Sequence, residues 1–222
     1  MYYKNIAIPE FSDPFFRQRQ MQEGRNKSMA AHFDPSWVSV LYESIQEWIK
    51  RYNCPGWMFV PCDPHTFGNE YHTITCATSK VIYNVEIAEG DNQSIFMGKK
   101  DFEDKGEMAG LMVRITKPLW GTGKVVVMER GFCVLEGLFL MVEKGVFGSA
   151  LIKNQRYRPK GVPSEEILRH MQNKEVDDVD SVQGSIRGKS YNIMAIKYPL
   201  LTGAANVEIM ERRYLPIVIG KN

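Results

Sequence analysis

The sequence is poor in cysteine, has no long hydrophobic run and carries almost no net charge. The first residues, MYYKNIAIPEF, lack the basic and then apolar pattern of a signal peptide, so we expect its four cysteines to be reduced thiols. No apolar stretch reaches the roughly 20 residues that cross a bilayer, which argues against a membrane partner. A net charge of +2 does not by itself indicate nucleic-acid binding. These absences predict a soluble intracellular globular protein.

Apolar periodicity predicts an alternation of strands and helices over most of the chain. Strands are expected at 37–42, 71–78, 81–89, 124–129 and 146–153. Helices are expected at 15–33, 105–119 and 132–143, with a further helix beginning at 43–51. This order is typical of a mixed sheet with helices packed on it. The composition changes near residue 155, where we place a domain boundary.

The segment GTGKVVVMERGFCVLEGL, residues 121–138, places a carboxylate where a buried strand ends. Residues 125–128 form the apolar strand and Glu129 follows it, at the edge where open α/β sheets bind ligands and metals. Glu129 is therefore a working site residue, the remnant of one, or a solvated turn residue. GTGK is not a phosphate-binding loop, because Val125 stands where that motif needs serine or threonine.

Basic residues surround one tyrosine in IKNQRYRPKG. The candidate DNA-contacting residues are Lys153, Arg156, Tyr157, Arg158 and Lys160. Basic side chains interleaved with an aromatic ring suit phosphate contacts and base stacking. A solvated loop is the alternative.

Cysteine and histidine residues also occur at a spacing compatible with zinc, as Cys62, His65, His72 and Cys76. His72 and Cys76, however, lie in one predicted strand, where four residues span roughly 13 Å. One ion cannot bind both side chains at that separation, so ordinary loop and strand packing is the favoured interpretation.

Long stretches of the chain resemble the catalytic domain of piggyBac-type transposases, including piggyBac transposable element-derived proteins, from about residue 12 to 198. The stretches lie within 14–48, 54–74, 86–90, 117–138, 144–163 and 173–186, and include VLYES, VVVMERGFCV and NKEVDDVDSVQG. The resemblance implies an α/β, RNase H-like mixed sheet with flanking helices, followed by the start of a β-rich insertion. It also implies a DDE-type enzyme in which acidic residues hold Mg²⁺ ions, a DNA partner and a nuclear location, and it allows a homodimer.

The sequence departs from the family pattern at the acidic residues. The first family aspartate corresponds to Tyr42, and a phenol is a poor Mg²⁺ ligand. The second corresponds to Glu129, whose extra methylene displaces the carboxylate, so Glu129 is only a weak metal candidate. Glu43 is no simple replacement for the first aspartate, because adjacent strand residues point to opposite faces. The third acid is expected to be missing from residues 200–222, which do not resemble the family.

The resemblance implies four segments: an N-terminal helical lead-in at 1–36, an incomplete catalytic core at 37–154, part of the insertion at 155–199 and a divergent tail at 200–222. We expect a transposase-derived domain that is catalytically inactive and retains DNA binding. The alternatives are an active or partly active metal-dependent transposase and a recruited protein-interaction module. An unrelated α/β binding protein would not account for the matched stretches.

Overall fold

The structure is a computed structural model that describes residues 13, 15–47, 56–59, 67–89, 101–151, 164–175, 178–186, 188–196 and 216–219. The chain divides into two compact units, Met1–Glu103 and Asp104–Asn222, which we call the first and second units.

The described residues of the first unit form one helix and an antiparallel sheet. Its elements are α1 (Phe16–His32), β1 (Val38–Glu47), β2 (Trp57–Phe59), β3 (Phe67–Cys76) and β4 (Ile82–Ile87). Strand β3 pairs with β1 along one side and with β4 and β2 along the other. The predicted hairpin of β3 and β4 is confirmed, and the core of the unit includes Leu41 and Ile74, which face each other across β1 and β3.

The prediction that a helix begins at residue 43 is wrong. Residues 43–47 continue β1, and they pair in register with β3 from Glu43 opposite His72 to Glu47 opposite Gly68. The strand is maintained by backbone pairing with a distant part of the chain. Such pairing overrides the weak local preference of a polar segment for helix.

The predicted helix at 15–33 is confirmed by α1. This helix has no buried residue. It lies along β4, on the side away from β3, through hydrogen bonds from side chains to backbone. Gln22 Oε1 accepts from the Ile87 N–H at 2.8 Å, and Asn26 Nδ2 donates to the Val85 carbonyl at 2.7 Å. The helix therefore satisfies backbone groups that an unprotected edge strand would expose.

The second unit contains a mixed sheet. Its elements are α2 (Glu107–Ile115), β5 (Val125–Met128), α3 (Leu135–Glu143), β6 (Phe147–Leu151), α4 (Ser164–Gln172), β7 (Val179–Ile186), β8 (Lys189–Ile196) and β9 (Pro216–Ile219). Strands β5 and β6 are parallel, with α3 between them in the chain. Strand β9 pairs antiparallel with β6 and β8, and β8 pairs antiparallel with β7.

Glycine allows close packing around α3. A side chain at Gly137 would place its Cβ 2.4 Å from Met112 Sδ on α2, so glycine permits the two helices to approach. Gly145 ends α3 with a positive φ of 74°, and the next amide, of Val146, bonds back to the Met141 carbonyl at 2.9 Å. This is the usual glycine-terminated helix end, and it directs the chain into β6.

The predicted mixed α/β architecture, with a mixed sheet and flanking helices, is confirmed. The domain boundary near residue 155 stays a prediction, because it lies outside the described residues. Residues 216–219, within the segment that shows no family resemblance, form β9 of the sheet. No helix in the described ranges is long and apolar enough to cross a bilayer.

Candidate metal centre

Tyr42, which the resemblance predicts to stand at the first metal-binding aspartate, lies on β1 opposite Thr73. Its side chain is half-buried. The Tyr42 hydroxyl accepts a hydrogen bond from Thr75 Oγ1 at 3.4 Å, while the Tyr42 carbonyl accepts one from Thr73 Oγ1 at 3.4 Å. Thr75 on β3 thus contacts the phenol, whereas Thr73 contacts the backbone of the same residue.

Glu129 directly follows β5, as the apolar run before it predicts, and its side chain is exposed. A short 3₁₀ turn, Arg130–Phe132, comes next, and the Phe132 N–H donates to the Glu129 carbonyl at 3.0 Å. The predicted helix begins three residues later than expected, at Leu135, because this turn precedes it. Glu129 is therefore placed at a strand end with its carboxylate open to solvent.

The two family positions offer a poor donor set for Mg²⁺. One is a phenol hydroxyl in the first unit and the other is a single carboxylate in the second unit. Paired Mg²⁺ ions need several anionic oxygen ligands, and a phenol hydroxyl does not supply one as a carboxylate does. Tyr42 and Glu129 alone therefore do not supply that set of anionic oxygens.

A different group of ligands lies on the opposite face of β1. Glu43, Glu70 and His72 each offer one ligand atom, and these three atoms lie within 4.8 Å of one another. His72 Nε2 is 3.0 Å from Glu70 Oε1. We call this group the Glu–Glu–His cluster. Carboxylates and imidazole are common ligands of divalent metal ions.

The strand register brings the cluster together. Glu43 on β1 is directly opposite His72 on β3, and Glu70 lies two residues before His72 on the same face of β3. Glu70 and His72 are largely buried, with side chains 10% and 12% exposed, whereas Glu43 is exposed. The cluster therefore has a buried side and a side open to solvent.

This cluster was not predicted from the sequence. The second strand was expected to begin at residue 71, which left out Glu70, and the first strand was expected to end at residue 42, which left out Glu43. A Glu-x-His pair within a strand is a weak signal that both side chains share a face. Only the pairing of β1 with β3 adds the third ligand.

The described residues do not support a zinc site at the Cys–His spacing found in the sequence. His72 and Cys76 both lie on β3, four residues apart, as the sequence predicted. Cys76 is hydrogen-bonded instead to Ser36, with 3.2 Å between Cys76 Sγ and Ser36 Oγ. Cys62 and His65 lie outside the described residues.

The predicted DNA-contacting segment also lies outside the described residues. Lys153, Arg156, Tyr157, Arg158 and Lys160 all fall between β6 and α4 in the chain. Their role stays a prediction.

Comparison with known protein families found a family model that matches most of the chain. A DDE-type family model described as Transposase IS4 matches residues 4–198, which is most of the chain. A search of curated protein sequences found no match.

A solved structure has a similar fold. It is a cryo-EM structure of a piggyBac transposase synaptic complex with hairpin DNA, at a TM-score of 0.66 and 12% sequence identity. The match covers 95% of this chain and 38% of the transposase chain, so this chain spans about two fifths of that relative's length. At 12% sequence identity, this structural similarity shows the fold alone.

Proposed function

The chain belongs to the transposase IS4 family, and from that membership we propose that it is a piggyBac-type transposase domain without metal-dependent DNA cleavage. The domain retains contact with DNA and acts in the nucleus. The proposal is supported by a phenol, Tyr42, where the resemblance implies the first metal-binding aspartate, and this hydroxyl accepts a hydrogen bond from Thr75.

Loss of cleavage follows from the chemistry of the donor atoms. In a two-metal site, Mg²⁺ ions activate the attacking oxygen and stabilise the leaving oxygen of the phosphodiester, and carboxylates hold both ions in place. Tyr42 offers one hydroxyl oxygen. Glu129 offers a carboxylate on a side chain one methylene longer than aspartate, and an error near 1 Å costs about 10²-fold in rate.

Contact with DNA is proposed from the basic segment around Tyr157. Lys153, Arg156, Arg158 and Lys160 would neutralise phosphates, and the Tyr157 ring would stack on a base. The printed description of the similar solved structure, a transposase complex with hairpin DNA, supports the same class of partner. Phosphate contacts carry little sequence information, so we expect weak, salt-sensitive binding.

A nicking assay tests the loss of cleavage. The purified chain is incubated with hairpin and linear DNA carrying piggyBac-type element ends, in Mg²⁺ or Mn²⁺ buffer, and we expect no metal-dependent product. Chelation with EDTA identifies any background nuclease that does not need the metal. Cleavage that depends on Mg²⁺ and disappears in Tyr42→Phe would instead establish an active transposase.

Restoration of the carboxylates tests the cause. Tyr42→Asp combined with Glu129→Asp should raise Mg²⁺ affinity in calorimetry, because it supplies the hard anionic ligands that Mg²⁺ prefers. The matched control, Tyr42→Asn with Glu129→Asn, has similar side-chain sizes without the charge and should show no gain. Equal affinity in both double variants would show that the substitutions at these positions do not explain the lost site.

A further inference from the structure

We propose that the Glu–Glu–His cluster binds one divalent transition-metal ion, at a site separate from the two family positions. Glu43, Glu70 and His72 each supply one ligand atom, and the remaining coordination positions are open to water on the Glu43 side. Tyr42 and Glu129 contribute nothing to this site. The inference therefore does not depend on whether the chain cleaves DNA.

The distances within the cluster fit a common ion. Ligand atoms that each lie about 2.0–2.2 Å from one metal ion are roughly 3 Å apart when they occupy adjacent coordination positions. His72 Nε2 and Glu70 Oε1 are already 3.0 Å apart, and all three ligand atoms lie within 4.8 Å of one another. Glu43, directly opposite His72 across the β1–β3 pair, supplies the third carboxylate.

Two paired strands fix the positions of the ligands. The register between β1 and β3 is continuous from Ser39 opposite Cys76 to Glu47 opposite Gly68. Gly68 keeps this pairing close, because a Cβ there would lie 2.0 Å from the Gln46 carbonyl oxygen. Ligands on such a scaffold are preorganised, which reduces the entropy lost on binding.

Burial and charge also favour a cation. The Glu70 side chain is only 10% exposed, and within the described part of the chain its carboxylate contacts the His72 imidazole. Burying a carboxylate is costly unless opposite charge or hydrogen-bond donors compensate. A divalent ion would compensate the charge of the largely buried Glu70, and the neutral imidazole is the form that binds metals.

The mixed ligand set selects the class of metal. Imidazole suits Zn²⁺ and other first-row transition metals, whereas Mg²⁺ and Ca²⁺ prefer sites made of oxygen alone. A three-ligand site of carboxylate and histidine leaves at least one position for water. We therefore expect Zn²⁺ to bind more tightly than Mn²⁺, and Mg²⁺ to compete poorly.

Calorimetry of the full chain with Zn²⁺ tests the proposal. We expect one ion per chain and a loss of affinity of at least tenfold in Glu43→Gln, Glu70→Gln and His72→Gln, since even residues behind metal ligands cost 10–100-fold. Glu86→Gln is the matched control. Glu86 on β4 is also opposite His72, but it is not among the three clustered residues. The Glu86→Gln variant should therefore bind Zn²⁺ with the affinity of the native chain.

Spectroscopy with Co²⁺ in place of Zn²⁺ separates this site from cysteine sites. Visible absorption bands of cobalt bound by nitrogen and oxygen should appear in the native chain and be lost in Glu43→Gln. Because Glu43 is exposed, this variant should fold like the native chain. Strong sulfur-to-cobalt charge transfer, an equal loss in Glu86→Gln, or no Zn²⁺ binding would each overturn the proposal. Tyr42→Phe should leave the Zn²⁺ affinity unchanged. This result distinguishes metal binding at the Glu–Glu–His cluster from metal binding at the family positions.

Discussion

The buried hydroxyl of Tyr83 shows how one polar atom contributes to the core of the first unit. Tyr83 is 2% exposed, and its hydroxyl donates to Ser39 Oγ at 2.8 Å, where Ser39 is fully buried. Burial raises the pKa of Tyr83, the hydrogen bond to Ser39 partly opposes that rise, and the nearby Cys76 adds to it. The folded protein therefore holds this phenol proton at pH values where an exposed tyrosine has lost it.

Alkaline pH should destabilise the protein through Tyr83. Above about pH 10 the unfolded tyrosine ionises while the folded one does not, so the folded state binds more protons and the free energy of unfolding falls as pH rises. Below pH 10 the contribution is fully present. Urea unfolding at pH 9 and pH 11 should show a smaller loss of stability in Tyr83→Phe than in the native chain.

A double-variant cycle provides the control for that measurement. At pH 7, Tyr83→Phe should cost about 1–2 kcal/mol, because it leaves the Ser39 hydroxyl buried without its donor. Adding Ser39→Ala should recover part of this cost, since both polar partners are then absent. A pH dependence identical in Tyr83→Phe and the native chain would assign the alkaline loss to other groups.

At the scale of elements, α1 is held by polar contacts with an edge strand. The helix has no buried residue, yet Gln22, Arg25 and Asn26 all hydrogen-bond to the backbone of β4. Asn26 makes two of these bonds, since its Oδ1 also accepts from the Val85 N–H at 3.1 Å. An amide side chain can donate and accept at once, so it imitates the pairing of another strand.

Asn26→Ala should therefore weaken the attachment of α1 to β4. We expect a loss of about 1–2 kcal/mol in unfolding free energy, because the Val85 carbonyl loses its partner while the Val85 N–H keeps a bond to Asn84 Oδ1. Urea unfolding measures the change, and hydrogen exchange at the Val85 amide locates it. Lys27→Ala, at an exposed position of the same helix, is the control and should change stability little.

If Asn26→Ala and Lys27→Ala lose the same small amount, the polar contacts of α1 do not hold it on β4. Faster exchange at Val85 in Asn26→Ala alone would confirm the role of the helix as an edge cover. Greater aggregation of that variant would agree, because an exposed strand edge pairs readily with other chains.

At the scale of the whole molecule, the proposed DNA binding rests on local charge. The net charge of +2 is too small to attract DNA generally, so the basic segment at 153–160 must supply the attraction. Each phosphate contact releases counterions, which makes the logarithm of the binding constant fall with the logarithm of salt concentration. The slope of that plot is proportional to the number of phosphate contacts.

Arg156→Ala combined with Arg158→Ala should reduce the salt slope by about 2, one for each lost phosphate contact. Fluorescence anisotropy of labelled DNA at several salt concentrations measures this slope. Lys27→Ala combined with Lys80→Ala removes the same charge from exposed positions outside the segment and should leave the slope near its native value. Equal slopes in the two double variants would assign residues 153–160 to a solvated loop.

The sequence by itself determined the family, the β3–β4 hairpin and the strand that Glu129 directly follows. These features depend on local signals: apolar runs, a turn between two alternating segments, and motifs in a fixed order. The tertiary structure alone decided that residues 43–47 extend β1, that polar side chains attach α1 to β4, and that Glu43 meets Glu70 and His72. Each of these depends on strand register or docking between distant segments, which local preference cannot encode, and a shift of one residue would turn every side chain to the other face.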